Sequence, residues 1–136
     1  MRRLVLLLVA LAASIVPIDA QTETRLKQCP AAFRTFYSGF TAAVRRSDKI
    51  KVASMTKFPL SWGLDAGDEG KYTRDEFIEN FSTLFGENTS ELMQERNPLC
   101  TRDHDGTLVI TSKDALHLNF ARSGKTYKLS SYVVEP

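Results

Sequence analysis

Apolar and polar positions along the chain follow two regimes. Up to about residue 96 the apolar residues recur at helical spacing. Beyond residue 106 they alternate with polar ones. Phe33, Phe36, Tyr37, Phe40 and Val44 form one apolar stripe of a first helix that begins near Pro30, a residue suited to a first helical position. Arg45 and Arg46 fall at its C-terminal end, where cations favour the dipole. Ser47-Asp48 ends this helix and caps a short second one, from Lys49 to about Thr56. Phe58, Pro59, Leu60, Ser61 and Trp62 read as an extended segment, followed by a loop from Gly63 to Lys71. Thr73 and Glu76, three residues apart, spell a capping box for a third helix. Its face is Phe77, Ile78, Phe81, Leu84 and Phe85, and Gly86 is its stop. A shorter helix is expected from Ser90 to Arg96, ended by Asn97-Pro98.

The strand regime opens after the turn signal Asp105-Gly106. Thr107 to Thr111 is rich in β-formers. Leu116, Leu118 and Phe120 alternate with His117, Asn119 and Ala121. Ser123-Gly124 is a tight turn, and Tyr127, Leu129 and Val133 alternate along a last strand that Ser131 interrupts. Helices first and an antiparallel meander after them imply an α+β domain, with the helices on one face of a curved antiparallel sheet.

The first twenty residues stand apart from this pattern. Arg2 and Arg3 precede an apolar run from Leu4 to Val16, and Pro17 and Ile18-Asp19-Ala20 follow. That is the layout of a secretory signal peptide over residues 1–20, with cleavage expected after Ala20. The run is shorter than the ~20 residues that span a bilayer. The remaining chain, 21–136, is long enough for one domain with its own core. The reading is therefore a secreted or periplasmic protein, with no membrane contact after cleavage.

Composition refines this only modestly. Without Arg2, Arg3 and Asp19 the formal charge falls from +2 to +1. No basic tract appears, so a nucleic-acid partner is not expected. Cys29 and Cys100 are the two cysteines. An even count in an oxidising compartment suggests one disulfide, the alternative being two separate buried thiols.

Several groups could carry chemistry. Asp65 to Glu76 has the outline of a calcium loop, with Asp65, Glu69, Gly70 and Glu76 at positions one, five, six and twelve. Position three is Gly67, which has no side-chain ligand, and Glu76 already has a capping role; an acidic surface loop is the plainer reading. Asp103-His104-Asp105 are adjacent on a turn and converge poorly on one ion. His117 and Asn119 share a polar strand face and are read as facing water. Asn88-Thr89-Ser90 is a glycosylation sequon, meaningful in a eukaryotic secretory pathway. No cofactor motif and no hydroxyl- or thiol-nucleophile arrangement stands out.

The order of elements resembles the nuclear transport factor 2-like superfamily in its small exported bacterial branch. The resemblance rests on an aromatic first helix ending at Arg46-Ser47-Asp48, then on the stretch Met55 to Leu60, on Thr73 to Phe77, and on a hairpin carrying Gly124 to Leu129. It implies a cone, a bent sheet around the first helix with a pocket at its open end. Isomerases of that superfamily use a pocket Asp as base and a first-helix Tyr as oxyanion donor. Counted back from Asp48, the matching position here is Phe40, and Tyr37 lies one turn earlier. Asp65 is the acid nearest the base position. With the donor missing, the expectation is non-catalytic binding of a small apolar ligand or a partner protein, at a cleft bounded by Tyr37, Phe58 and Trp62. An isomerase- or hydrolase-type enzyme and a calcium-stabilised module are the alternatives. Nothing in the sequence excludes a homodimer.

Overall fold

A computed structural model describes residues 24–64, 67–113 and 115–135. The signal-like segment 1–20 lies outside the described residues. Helices α1 (Ala31–Arg45), α2 (Lys49–Ser54), α3 (Arg74–Glu79), α4 (Phe81–Leu84) and α5 (Glu87–Gln94) combine with strands β1 (Thr56–Gly63), β2 (Glu69–Tyr72), β3 (Leu99–Arg102), β4 (Leu108–Thr111), β5 (Leu116–Ser123) and β6 (Thr126–Val134). The strands form one sheet in the order β2-β1-β6-β5-β4-β3. The sheet is open, so the domain is α+β without a closed barrel.

Helix α1 forms as its stripe dictates. Phe33, Phe36, Tyr37, Phe40, Ala43 and Val44 are all buried. Phe33 meets Phe120 and Tyr127 edge-on at 5.4 and 5.1 Å between ring centroids, which fastens α1 to β5 and β6. Pro30 is the residue before the helix rather than its first residue. Ser47 adopts φ 53°, and the Asp48 carboxylate accepts from the Lys51 N–H at 3.1 Å, so the chain turns and α2 starts where the sequence places it.

The expected third helix is broken. Its capping box forms, with the Thr73 N–H donating to Glu76 Oε2 at 2.8 Å and the Glu76 N–H to Thr73 Oγ1 at 3.3 Å. At Asn80, however, the side-chain amide donates to the Glu76 carbonyl at 2.8 Å, and the helix restarts as α4. Gly86 follows, but not in a left-handed conformation. A Cβ there would stand 2.6 Å from the Ser82 carbonyl oxygen, so the site needs glycine for space.

Besides β3, which lies before the Asp105-Gly106 turn where strands were expected to begin, three features depart from the sequence reading of the sheet. The 63–71 loop contains β2, whose Leu60↔Tyr72 and Trp62↔Gly70 pairs bind it to β1. The Trp62 ring covers Gly70, with Cζ2 3.0 Å from where a Cβ would sit. Second, β1 runs parallel to β6, so the sheet is mixed rather than wholly antiparallel. No hairpin dictates their direction, because the two strands are separated by most of the domain. Third, the last strand carries a bulge. Phe120 pairs with Leu129 and Asn119 with Ser131, leaving Ser130 as an extra residue. The bulge shifts the alternation, and Tyr132 faces the core where Val133 was expected.

Cys29 and Cys100 form a disulfide with Cα atoms 6.6 Å apart. Beside it, the Leu26 N–H donates to the Pro98 carbonyl and the Cys100 N–H to the Thr24 carbonyl, both at 2.9 Å. The segment 24–26 thus covers the outer edge of β3.

Candidate functional site

The three residues expected to bound one cleft have separate neighbours. Tyr37 is 2% exposed and packs between Phe33, Phe40 and Phe120. Its hydroxyl has no hydrogen-bond partner among the described residues. Burial pushes the phenol well above its ordinary range, reinforced by the nearby Glu95 carboxylate and opposed by Arg45. Trp62 stacks on Tyr72 with ring centroids 5.3 Å apart and shields Gly70, so its indole has a local structural role on the edge strand. Phe58 is half-buried, meets Phe77 edge-on at 5.4 Å and reaches a cleft.

That cleft, of about 440 Å³, is lined by Thr56, Lys57, Phe58, Ala121, Arg122, Ser123 and Lys128. The topology produces it. Because β1 and β6 are parallel, the start of β1 lies beside the start of β6 and the end of the antiparallel β5. Thr56 pairs with Leu129 and Ser61 with Ser131, five steps on β1 against two on β6, so β1 bows away from its neighbour after Thr56. The lining combines one aromatic ring with three cations and no carboxylate. Among the described residues, none of Lys57, Arg122 and Lys128 forms an ion pair; Arg122 Nε donates to the Gly124 carbonyl at 3.2 Å. Such a cleft favours an anion beside an apolar group.

Sequence reasoning missed these cations because it weighed net charge instead of charge position. The signal was present: no Asp or Glu occurs between residues 115 and 134, while Arg122, Lys125 and Lys128 do.

A second constellation lies on the sheet face that points away from α1. His117 Nδ1 is 3.2 Å from Thr111 Oγ1, and His117 Nε2 is 3.4 Å from Glu135 Oε2. Asn119 donates to Ser131 Oγ in the next row. Thr111, His117, Asn119 and Glu135, together with Thr101, Asp103, Val109 and Val133, border a cleft of about 360 Å³. The imidazole is therefore partnered rather than simply facing water. Hydroxyl, imidazole and carboxylate follow the order of an acyl-transfer site. The Glu135 side chain, however, is 63% exposed, and a carboxylate so well solvated orients an imidazole weakly.

The remaining candidates have local roles. Asp65, the first position of the calcium-loop outline, lies outside the described residues. Glu69 to Tyr72, its middle, is a strand, and Glu76 is engaged in its cap. The Thr73 N–H and hydroxyl hold the Glu76 carboxyl below the usual range. Asp105 accepts from the Thr107 N–H at 2.9 Å, which closes the turn and lowers its carboxyl likewise. Among the described residues no three His, Cys, Asp or Glu side chains are grouped to hold a metal ion. Thr89 of the sequon is buried, with its hydroxyl on the Gly86 carbonyl.

Comparison with known proteins gives no matching family model, no similar characterised protein and no similar solved structure.

Proposed function

We propose that this chain is an exported, non-catalytic binding domain whose ligand site is the Phe58 cleft, and that the ligand is a small amphiphile with an apolar body and an acidic head. The observation that carries the reading is the lining itself: one half-buried aromatic ring beside three cations without ion-pair partners among the described residues. A volume of about 440 Å³ lies within the range of small-molecule sites. The apolar ligand expected from the sequence thus gains an acidic group. The disulfide supports an oxidising compartment, in keeping with the signal-like first twenty residues. The kinship with nuclear transport factor 2-like proteins belongs to the same proposal, supported by an aromatic first helix laid across a sheet.

Decanoate and decanol separate the charge from the apolar contribution. Calorimetry is expected to show decanoate binding, decanol binding at least tenfold more weakly, and a comparable loss for Lys57→Ala combined with Lys128→Ala. Equal binding of the two compounds, or no binding of decanoate, would sink the assignment.

A further inference from the structure

The chain's positive charge is concentrated. Residues 45–57 contain Arg45, Arg46, Lys49, Lys51 and Lys57 with one acid, Asp48, a net charge of +4, while the rest of the chain sums to −2. In the fold this stretch is the corner where α1 ends and α2 begins, together with the first residues of β1. Asp48 is the one acid of the stretch, and its carboxylate caps α2 through the Lys51 N–H. Arg45 donates to the Met93 carbonyl at 3.3 Å. Arg46, Lys49 and Lys51 are exposed and form no ion pair among the described residues.

Ile50 stands between the two lysines. It is 54% exposed, the most exposed large hydrophobic side chain among the described residues. An isolated exposed isoleucine is ordinary, and so is an isolated lysine pair. Here they occur together at one corner. Cations are drawn to an anionic lipid surface, an attraction that falls off within a Debye length. An apolar side chain among them gains further by entering the boundary between headgroups and acyl chains. One exposed isoleucine is little apolar surface for a protein interface of about 800 Å² per partner, but it suffices as a single insertion among cations at a headgroup boundary.

We infer that the α1–α2 corner, Arg45 to Lys51, docks on an anionic bilayer surface with Ile50 inserted at the headgroup level. No helix among the described residues is long and apolar enough to cross a membrane, so the contact inferred is with the bilayer surface. This departs from the expectation of no membrane contact. It does not depend on the Phe58 cleft, since none of Arg45 to Lys51 lines it.

The test is co-sedimentation of the chain from Gln21 onward, which omits the apolar run at 4–16. The vesicles are phosphatidylcholine alone or with about 30% phosphatidylglycerol, an anionic surface of the kind that draws polybasic segments. Binding is expected on the anionic vesicles only, and it should weaken with salt. Lys49→Glu with Lys51→Glu should lower the partition coefficient at least tenfold. Ile50→Ser, which leaves the charge unchanged, should lower it several-fold. Thermal melts of each variant establish that the fold is intact. No binding to anionic vesicles would overturn the inference. So would Ile50→Ser binding as well as the parent, particularly with equal retention on polyglutamate beads, which would assign the corner to an acidic macromolecule.

Discussion

Tyr37 combines a large favourable contribution with a small unfavourable one. Its ring fills the space between Phe33, Phe40 and Phe120, whereas its buried hydroxyl has no partner among the described residues. Removing an unpaired buried hydroxyl while keeping the ring costs nothing in hydrogen bonding. Tyr37→Phe is therefore expected to leave stability at pH 7 unchanged or raise it by up to about 1 kcal/mol in urea unfolding, whereas Tyr37→Ala loses roughly 3–5 kcal/mol. The two forms should also differ in alkali. Burial raises the Tyr37 phenol and pushes Tyr132 up to about 12. An unfolded tyrosine ionises near pH ~10, so above that pH the unfolded chain binds fewer protons than the folded one. Stability is then level below pH ~10 and falls as the pH rises toward that of the folded groups. Tyr37→Phe should make this fall shallower; an unchanged slope would mean that the phenol is not protected by burial.

At the scale of elements, the Ser130 bulge determines which side of β6 meets the helices. Leu129 and Tyr132 are three residues apart, yet both face inward. Strict alternation forbids this, and one extra residue permits it. Deleting Ser130 leaves Leu129 in, Ser131 out and Tyr132 in, a regular ladder with the same faces. Deleting Lys128, in the regular part of the strand, turns Tyr127 outward, because a one-residue slip exchanges the faces. The Ser130 deletion is expected to fold with a loss of roughly 1–3 kcal/mol, and the Lys128 deletion is expected to lose cooperative unfolding. Circular dichroism and urea titration of the pair distinguish these outcomes. Equal damage from both would show that the bulge has a further role, for instance in bending the sheet over α1.

For the whole molecule, the disulfide connects the approach to α1 with β3 across 71 residues of sequence. It works alongside the backbone bonds of residues 24–26 on the β3 edge. In the chain-entropy description a loop of that length contributes about 4 kcal/mol by restricting the unfolded chain. Reduction, or Cys29→Ala with Cys100→Ala, should lower the urea midpoint by a corresponding amount while the helices and sheet persist in its absence. Loss of under ~1 kcal/mol would mean that the edge hydrogen bonds alone hold the segment. The same fold places Lys57 in one cleft with Arg122 and Lys128, which are distant from it in sequence. A domain of nearly balanced charge thereby acquires a basic region.

Much of this was legible from residues alone. The stripe on α1, the Thr73–Glu76 box, the Asp48 cap and the in-out pattern of β5 are local, set by periodicity and by side chains within a few positions of the groups they satisfy. The disulfide was the expected reading of two cysteines behind a signal-like segment. Other features depend on partners distant in sequence. Glu69-Gly70-Lys71-Tyr72 is too short and too poor in apolar residues to signal a strand alone, and becomes one because β1 offers an edge and Trp62 covers its glycine. The parallel pairing of β1 with β6 has no local signal, since no turn joins them, and it alone places Lys57 and Phe58 beside Arg122 and Lys128. The sequence by itself determined the first-helix stripe, the caps, the strands after residue 106 and the α+β class, because those are short-range, and made the covalent tie the expected reading of two cysteines. Tertiary structure decided strand direction, the bulge and the cleft, because each depends on which distant backbone satisfies a strand's hydrogen bonds.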